Sequence, residues 1–87
     1  MKIEFRNSFV KDLKRVDLPV KKQVKDLIER VEKTSSLISL ENVKKLKGAE
    51  NYYRIRLGDY RVGIILERET LIFVRFLHRK DIYRYFP

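Results

Sequence analysis

Arginine and tyrosine recur at short intervals in the second half of the chain, in a segment patterned like β-strands. Residues 52–86 read YYRIRLGDYRVGIILERETLIFVRFLHRKDIYRYF. A guanidinium group is a planar fork that binds phosphate oxygens with two hydrogen bonds at once, and tyrosine rings stack on nucleic-acid bases. The segment therefore has the chemistry of a surface that binds phosphates and bases.

The net charge of the chain also favours an anionic partner. The 87 residues include 21 Lys and Arg against 12 Asp and Glu, which gives a formal charge of +9. Residues 1–48 hold ten Lys and three Arg, whereas residues 49–87 hold seven Arg and one Lys. Such a charge suits nucleic acid, an acidic protein or a membrane surface. We interpret the lysine-rich half as a solvated surface and the arginine-rich half as the recognition surface.

Length and composition restrict the class of protein. A chain of 87 residues forms one domain, residues 1–87, near the lower size limit for folding without cross-links. There is no cysteine, so neither a disulfide nor a thiolate metal site is available. No apolar run is long enough to span a membrane, and residues 1–9 lack the apolar core of a signal peptide. We expect a cytoplasmic protein that does not bind membranes.

Apolar periodicity predicts an α+β fold with the order β-α-α-β-β-β. Alternation over residues 1–6 predicts a short strand. Asn7 and Ser8 are good helix caps, which predicts a first helix ending near Asp17, and Pro19 suits the first turn of a second helix. The two helices should form an antiparallel hairpin. After a break at residues 34–36, a loop should tuck three apolar side chains under the helices: Leu37, Ile38 and Leu40.

Three strands in meander order are predicted in the second half: residues 52–57, 60–67 and 71–78. We expect an antiparallel sheet with the helical hairpin on one face and the other face open. Successive strand residues point to opposite faces, so strict alternation sorts the side chains. It places towards the helices Tyr53, Ile55, Leu57, Tyr60, Val62, Ile64, Leu66, Ile72, Val74 and Phe76. It places on the open face Tyr52, Gly63, Ile65, Phe73, Leu77 and the five arginines Arg54, Arg56, Arg61, Arg75 and Arg79.

Two sequence blocks resemble a known family. The string LKGAENYYRIRLGDYRVGI, followed by a strand and then HRKDIYRYF, resembles the RelE/ParE superfamily of bacterial and archaeal toxins. The resemblance covers nearly the whole chain and implies a toxin of a type II toxin–antitoxin module. RelE-type members of that superfamily enter the ribosomal A site and cleave the bound mRNA. The functional positions that the resemblance implies are Arg54, Arg56, Arg61, Arg79 and Tyr83. The first two are lysines in the best-known RelE-type enzymes, and the C-terminal segment is shorter here than in some relatives.

Cleavage of RNA requires a base for the 2′-OH, donors that stabilise the phosphorane and an acid for the leaving 5′-oxygen. The chain has one histidine, no cysteine and no carboxylate cluster on the arginine face, so we expect chemistry without a metal or cofactor. Arg61 and Arg79, from adjacent strands, are predicted to hold the phosphate. Arginine stays protonated and is a poor general base.

His78 is the natural candidate for acid–base chemistry, because histidine changes protonation near neutral pH. Strict alternation nevertheless places it on the helix-covered face, where it could equally be a structural residue, unless a twist or bulge at the strand end brings it round. Tyr83 could stack on a base or orient the phosphate, or simply pack at the sheet edge. Further RNA contacts are predicted for Lys45, Lys47, Tyr52, Arg75 and Arg84.

Two other functions fit the same fold and charge. One is a ParE-like inhibitor of DNA gyrase, which shares the fold and needs no nuclease residues. The other is a basic nucleic-acid-binding module without activity. The resemblance also implies an acidic, partly disordered antitoxin that folds on binding, in a heterodimer or heterotetramer, with operator DNA bound only through that complex. The basic helical face and the groove beside the sheet are the predicted docking sites, and the ribosome and mRNA are the predicted targets.

Overall fold

Five strands form one sheet in the computed structural model, which describes residues 1–87. The strands are β1 (Lys2–Phe5), β2 (Val43–Lys45), β3 (Tyr52–Leu57), β4 (Tyr60–Glu67) and β5 (Thr70–His78), in the spatial order β1-β5-β4-β3-β2. β1 runs parallel to β5, and the other three pairings are antiparallel. The helices are α1 (Asn7–Lys14), α2 (Leu18–Lys33) and the short α3 (Ile82–Tyr85). No helix is long and apolar enough to cross a membrane. The predicted α+β fold is confirmed.

α1 and α2 cover one face of the sheet and share one apolar core with it. The core joins Phe9 of α1 and three residues of α2 to the inward side chains of the strands. α2 starts as predicted, because the side chain of Asp17 accepts a hydrogen bond from the backbone N–H of Val20 and Pro19 lies in the first turn. Burial of such apolar surface is the main source of stability in a domain of this size.

A β-bulge changes the alternation of β5. Gly63 pairs with Arg75, but the next residue, Ile64, pairs with Phe73, so Val74 is an extra residue in β5. Phe73 is therefore buried in the main core, and Ile72 lies on the other face. The prediction that Ile72 and Val74 face the helices and Phe73 faces out was wrong, because one inserted residue reverses the alternation upstream of it. On β3 and β4 the predicted inward residues do pack against the core.

α1 completes the hydrogen bonding of β5 at this bulge. The hydroxyl of Ser8 donates to the carbonyl oxygen of Val74 over 2.5 Å. Four residues later, on the same side of α1, the carboxylate of Asp12 accepts from the backbone N–H of Phe76 over 3.0 Å. Because β1 pairs with β5 only as far as Phe73, backbone polar groups on the edge of β5 beyond that point are satisfied by two helix side chains.

α1 differs from its prediction at both ends. Its N-cap is Arg6, without a side-chain hydrogen bond, and Asn7 and Ser8 lie inside the helix. The hydroxyl of Ser8 is used by β5 rather than by the helix end. The helix stops at Lys14, short of Asp17, because Asp17 caps α2.

The connection between α2 and β3 differs from its prediction at two points. Residues 43–45 form β2, an edge strand that was not predicted because three residues are too few to show alternation. Leu37 is buried as expected, but the neighbouring Ile38 is 94% exposed. A 3₁₀ turn over residues 37–39 sends successive side chains in different directions, so only one of this pair can reach the core.

Candidate functional site

The face of the sheet away from α1 and α2, here called the outer face, carries three rows of cross-strand partners. The row nearest the β3–β4 turn contains Arg56, Arg61 and Leu77. The middle row contains Arg54, Gly63 and Arg75, and the far row contains Tyr52, Ile65 and Ile72. Rows two residues apart along a strand are separated by about 7 Å. Several guanidinium groups consequently start within one side-chain length of each other.

Arg79 lies just beyond the first row, directly after the end of β5. Its backbone N–H donates to the carbonyl oxygen of Asp59 in the β3–β4 turn over 2.8 Å, which holds the chain beside that turn. Three arginines from three successive chain segments thus meet at one end of the sheet. We call Arg56, Arg61 and Arg79 the arginine cluster.

No carboxylate neutralises the arginine cluster. The one salt bridge in the structure joins Arg75 to Asp12, elsewhere on the sheet. The Nη1 of Arg61 donates to the carbonyl oxygens of Gly58 and Tyr60, both at 2.9 Å, which orients the guanidinium over the turn. A guanidinium has five N–H donors, so most of this fork stays available. The cluster can therefore bind a phosphate group without first losing an ion pair.

Arg75 is engaged differently from the other arginines. Its Nε and Nη2 donate to the two carboxylate oxygens of Asp12 over 2.7 and 3.0 Å. Asp12 is only 5% exposed, so a phosphate that took this guanidinium would leave a buried carboxylate unpaired. Arg75, which was predicted to contact RNA, is thus paired with Asp12 within the protein.

The C-terminal segment crosses part of the outer face. The ring of Tyr83 lies 4.4 Å from the guanidinium carbon of Arg54, and the ring of Phe86 lies 5.6 Å from that of Tyr52. The prediction of an open face was therefore wrong for the middle and far rows. The chain turns back after β5, and α3 packs on that strand. The arginine cluster lies towards the other end of the sheet, and Tyr83 and Arg84 of the C-terminal segment are both exposed.

His78 lies on the helix-covered side, where strict alternation placed it. It pairs with Tyr60 across the sheet, and the two rings meet edge to face at 5.8 Å. Its Nδ1 accepts a hydrogen bond from the backbone N–H of Lys80, so in the neutral ring the proton is on Nε2. The bulge in β5 lies upstream, at Val74, and does not bring the ring to the outer face.

The lysines of the connection before β3 divide between the two faces. Lys45 pairs with Tyr53 and lies on the helix side, at the rim of a groove. Lys44, which was not among the predicted contacts, pairs with Arg54 and lies on the outer face. Lys47 follows β2 and is exposed.

Comparison with known proteins agrees with this arrangement. Residues 3–83 match the family model of the ParE toxin of type II toxin–antitoxin systems. Toxin RelE3 of Methanocaldococcus jannaschii is 51% identical over 88 residues, covering 100% of both chains. The chain is a RelE-type toxin of this family.

The same archaeon has a putative toxin RelE1 that is 33% identical over 82 residues, covering 91% of this toxin and 89% of the relative. Among solved structures, the RelB–RelE antitoxin–toxin complex from Methanococcus jannaschii matches with a TM-score of 0.83 and 49% identity. That match covers 97% of this toxin and 99% of the other chain. The likeness in fold therefore extends over nearly the full length of the toxin.

Sequence reasoning assigned no role to three residues of the toxin that shape the outer face: Asp12, Lys44 and Gly63. Two of them carried a signal. Asp12 lies between the apolar residues Phe9 and Leu13 of α1, which is unusual for a carboxylate without a partner. Gly63 interrupts an apolar strand, a common mark of close approach by other atoms. Lys44 had no signal, because its face depends on the pairing of a strand that was not predicted.

Proposed function

We propose that this toxin is a ribosome-dependent mRNA endoribonuclease that acts without a metal ion. The observation that carries the proposal is the arginine cluster, whose three residues lie at one end of the sheet and have no carboxylate partner. The similarity to toxin RelE3 supports an RNA substrate over other anions.

In the proposed reaction, a 2′-OH attacks the adjacent phosphorus and the bond to the 5′-oxygen breaks, which leaves a 2′,3′-cyclic phosphate and a free 5′-OH. Negative charge grows on the non-bridging oxygens as the phosphorane forms. Arg61 and Arg79 are the proposed donors to these oxygens, and each such donor contributes about 3 kcal/mol. Arg56, beside Arg61, adds to the positive potential there.

Arg54 and Tyr83 are proposed to hold the RNA next to the scissile bond. The Tyr83 side chain is 71% exposed although its ring contacts the Arg54 guanidinium, so one ring face is free to stack on a base. Lys44, Lys47, Tyr52 and Arg84 are the proposed further contacts along the strand. The net charge of +9 would attract the toxin to ribosomal RNA, in the cytoplasm where ribosomes work.

The proposed partner is an acidic antitoxin in a heterodimer or heterotetramer, with operator DNA bound only through that complex. The M. jannaschii relative was crystallised as a RelB–RelE complex. On the helix side of the sheet this toxin has a groove of about 1040 Å³. Its walls combine apolar residues with basic ones, including Leu37, Ile38, Leu66, Lys2, Lys45 and Arg68. An amphipathic acidic segment of the antitoxin fits such walls.

The test is cleavage of mRNA by purified toxin in a translating extract, compared with the same mRNA without ribosomes. Arg61→Ala and Arg79→Ala should each lower the cleavage rate by about 100-fold, the usual effect of removing one transition-state donor. Arg30→Ala, which removes an exposed arginine from α2, is the charge-matched control and should cleave normally. Normal cleavage by both cluster variants would contradict the assigned site.

A second function, inhibition of DNA gyrase, is favoured by the match to the ParE family model. After induction in cells, the nuclease should stop protein synthesis first, whereas a gyrase inhibitor should stop DNA replication first. Pulse labelling of both processes separates the two. Expression without toxicity would instead favour a nucleic-acid-binding module.

A further inference from the structure

The C-terminal segment is held on the outer face by two buried side chains, Ile82 and Phe86. They lie four residues apart, at 0% and 3% exposure, while the residues between them are exposed. The backbone N–H of Phe86 donates to the carbonyl oxygen of Ile82 over 2.9 Å, which closes the turn. Tyr83, Arg84 and Tyr85 therefore belong to a turn of helix that is anchored on both sides.

The ring of Phe86 occupies the space that a side chain at position 63 would need. A Cβ built on Gly63 would lie 2.6 to 2.8 Å from three ring carbons of Phe86, well inside the distance that real Cβ atoms tolerate. The backbone of Gly63 is not in the left-handed region, so its conformation does not require glycine. The close packing of the Phe86 ring is therefore sufficient to explain why position 63 is a glycine.

The contact of the Phe86 ring with Gly63, here called the seat, lies between the two arginines of the middle row. Gly63 pairs with Arg54 on one side and with Arg75 on the other. The guanidinium of Arg54 lies under the ring of Tyr83, and that of Arg75 lies 5.3 Å from the ring of Tyr85. When Phe86 packs on Gly63, Tyr83 thus lies against Arg54 and Tyr85 lies against Arg75.

We infer that Phe86, seated on Gly63, is a positioning residue that fixes Tyr83 against Arg54 beside the arginine cluster. Phe86 does not reach the substrate itself, because it is buried. Without the seat, the segment is free to leave the face, and the pair formed by Tyr83 and Arg54 is lost. The catalytic part of this inference rests on the proposed nuclease function, but the positioning part does not.

Gly63→Ala and Phe86→Ala test the seat from its two sides. In an mRNA cleavage assay each should lower kcat by on the order of 100-fold, the effect of misplacing a group by about 1 Å, with a much smaller change in KM. The double variant should be about as impaired as either single variant, because both changes break the same contact. Phe86→Leu keeps an apolar anchor and should retain more activity than Phe86→Ala. Val24→Ala, a core change in α2, controls for lost stability and should keep its kcat below its unfolding temperature.

A second readout is independent of cleavage. In NMR spectra, the Nε–H of Arg54 and the ring of Tyr83 should show mutual contacts in the wild-type toxin, which disappear in both single variants while the core signals persist. Persistence of these contacts in Gly63→Ala and Phe86→Ala would overturn the inference, as would normal kcat in both. If the wild-type toxin does not cleave RNA, the proposed function fails, and the NMR contacts alone decide the inference.

Discussion

The carboxylate of Asp12 accepts three hydrogen bonds, two from the Arg75 side chain and one from the backbone N–H of Phe76. Removing one member of a buried ion pair leaves the other charge and its polar neighbours unsatisfied. Asp12→Ala should therefore lower the free energy of unfolding by roughly 3 kcal/mol, measured by urea denaturation. The loss would be a large fraction of the stability of a domain this small.

Asp26→Ala is the matched control for that measurement. Asp26 is exposed on α2 and has no salt-bridge partner, so its loss should change the free energy of unfolding by less than about 0.5 kcal/mol. Equal effects of the two substitutions would show that the buried pair adds nothing specific. A double variant, Asp12→Ala with Arg75→Met, should recover part of the lost stability, because it leaves no unpaired charge.

At the scale of the elements, the register of β5 decides which side chains reach the outer face. His78 lies with Tyr60 on the helix side, whereas the arginine cluster lies at the outer face. Given this separation, His78→Gln should leave mRNA cleavage within about threefold of wild type, far from the 100-fold or larger loss typical of a missing acid or base. Arg79→Ala is the comparison, because it changes the adjacent residue and so shows the effect of a substitution at the same end of β5. A loss for His78→Gln as large as that for Arg79→Ala would place the imidazole in the reaction.

The strands show which parts of the fold the alternation of apolar and polar residues can predict. β3 and β4 were predicted with their observed limits, because a tight turn at Gly58–Asp59 and regular alternation define both. The bulge at Val74 left no mark in the sequence, since valine is an ordinary strand residue. Arg54, Arg56 and Arg61 were assigned to the outer face correctly, because β3 and β4 keep a regular register with each other. Phe86 covers part of the outer face because the chain turns back after β5. The periodicity of the sequence does not predict the direction of that turn.

At the scale of the whole molecule, the arginine cluster and the apolar groove lie on opposite faces of the sheet. The groove is bounded by Tyr53 and Leu66, whose neighbours along β3 and β4 point to the outer face. A partner segment in the groove would not touch the arginine cluster. An antitoxin that both holds and neutralises this toxin therefore needs a second segment that reaches the outer face.

This separation predicts that affinity for the antitoxin and cleavage can be changed independently. Ile38 is 94% exposed on the rim of the groove, so Ile38→Asp should not disturb the fold. If the antitoxin buries this side chain, the lost contact is worth about 1.5 to 3 kcal/mol, and binding should weaken roughly tenfold or more. RelB from the M. jannaschii complex is the probe, with affinity measured by calorimetry. Leu18→Asp, which places the same charge at another exposed apolar position (65% exposed, at the start of α2), is the control and should bind normally.

Cleavage by free Ile38→Asp toxin should equal that of wild type, because the substitution lies on the other side of the sheet from Arg61 and Arg79. Its cleavage should also resist inhibition, so that more RelB is needed to stop it. Equal loss of affinity in Ile38→Asp and Leu18→Asp would contradict a contact specific to the groove, and would point to general charge repulsion or to docking on the helical face. Normal affinity in Ile38→Asp would remove the groove from the interface and leave the outer face as the main site of antitoxin binding.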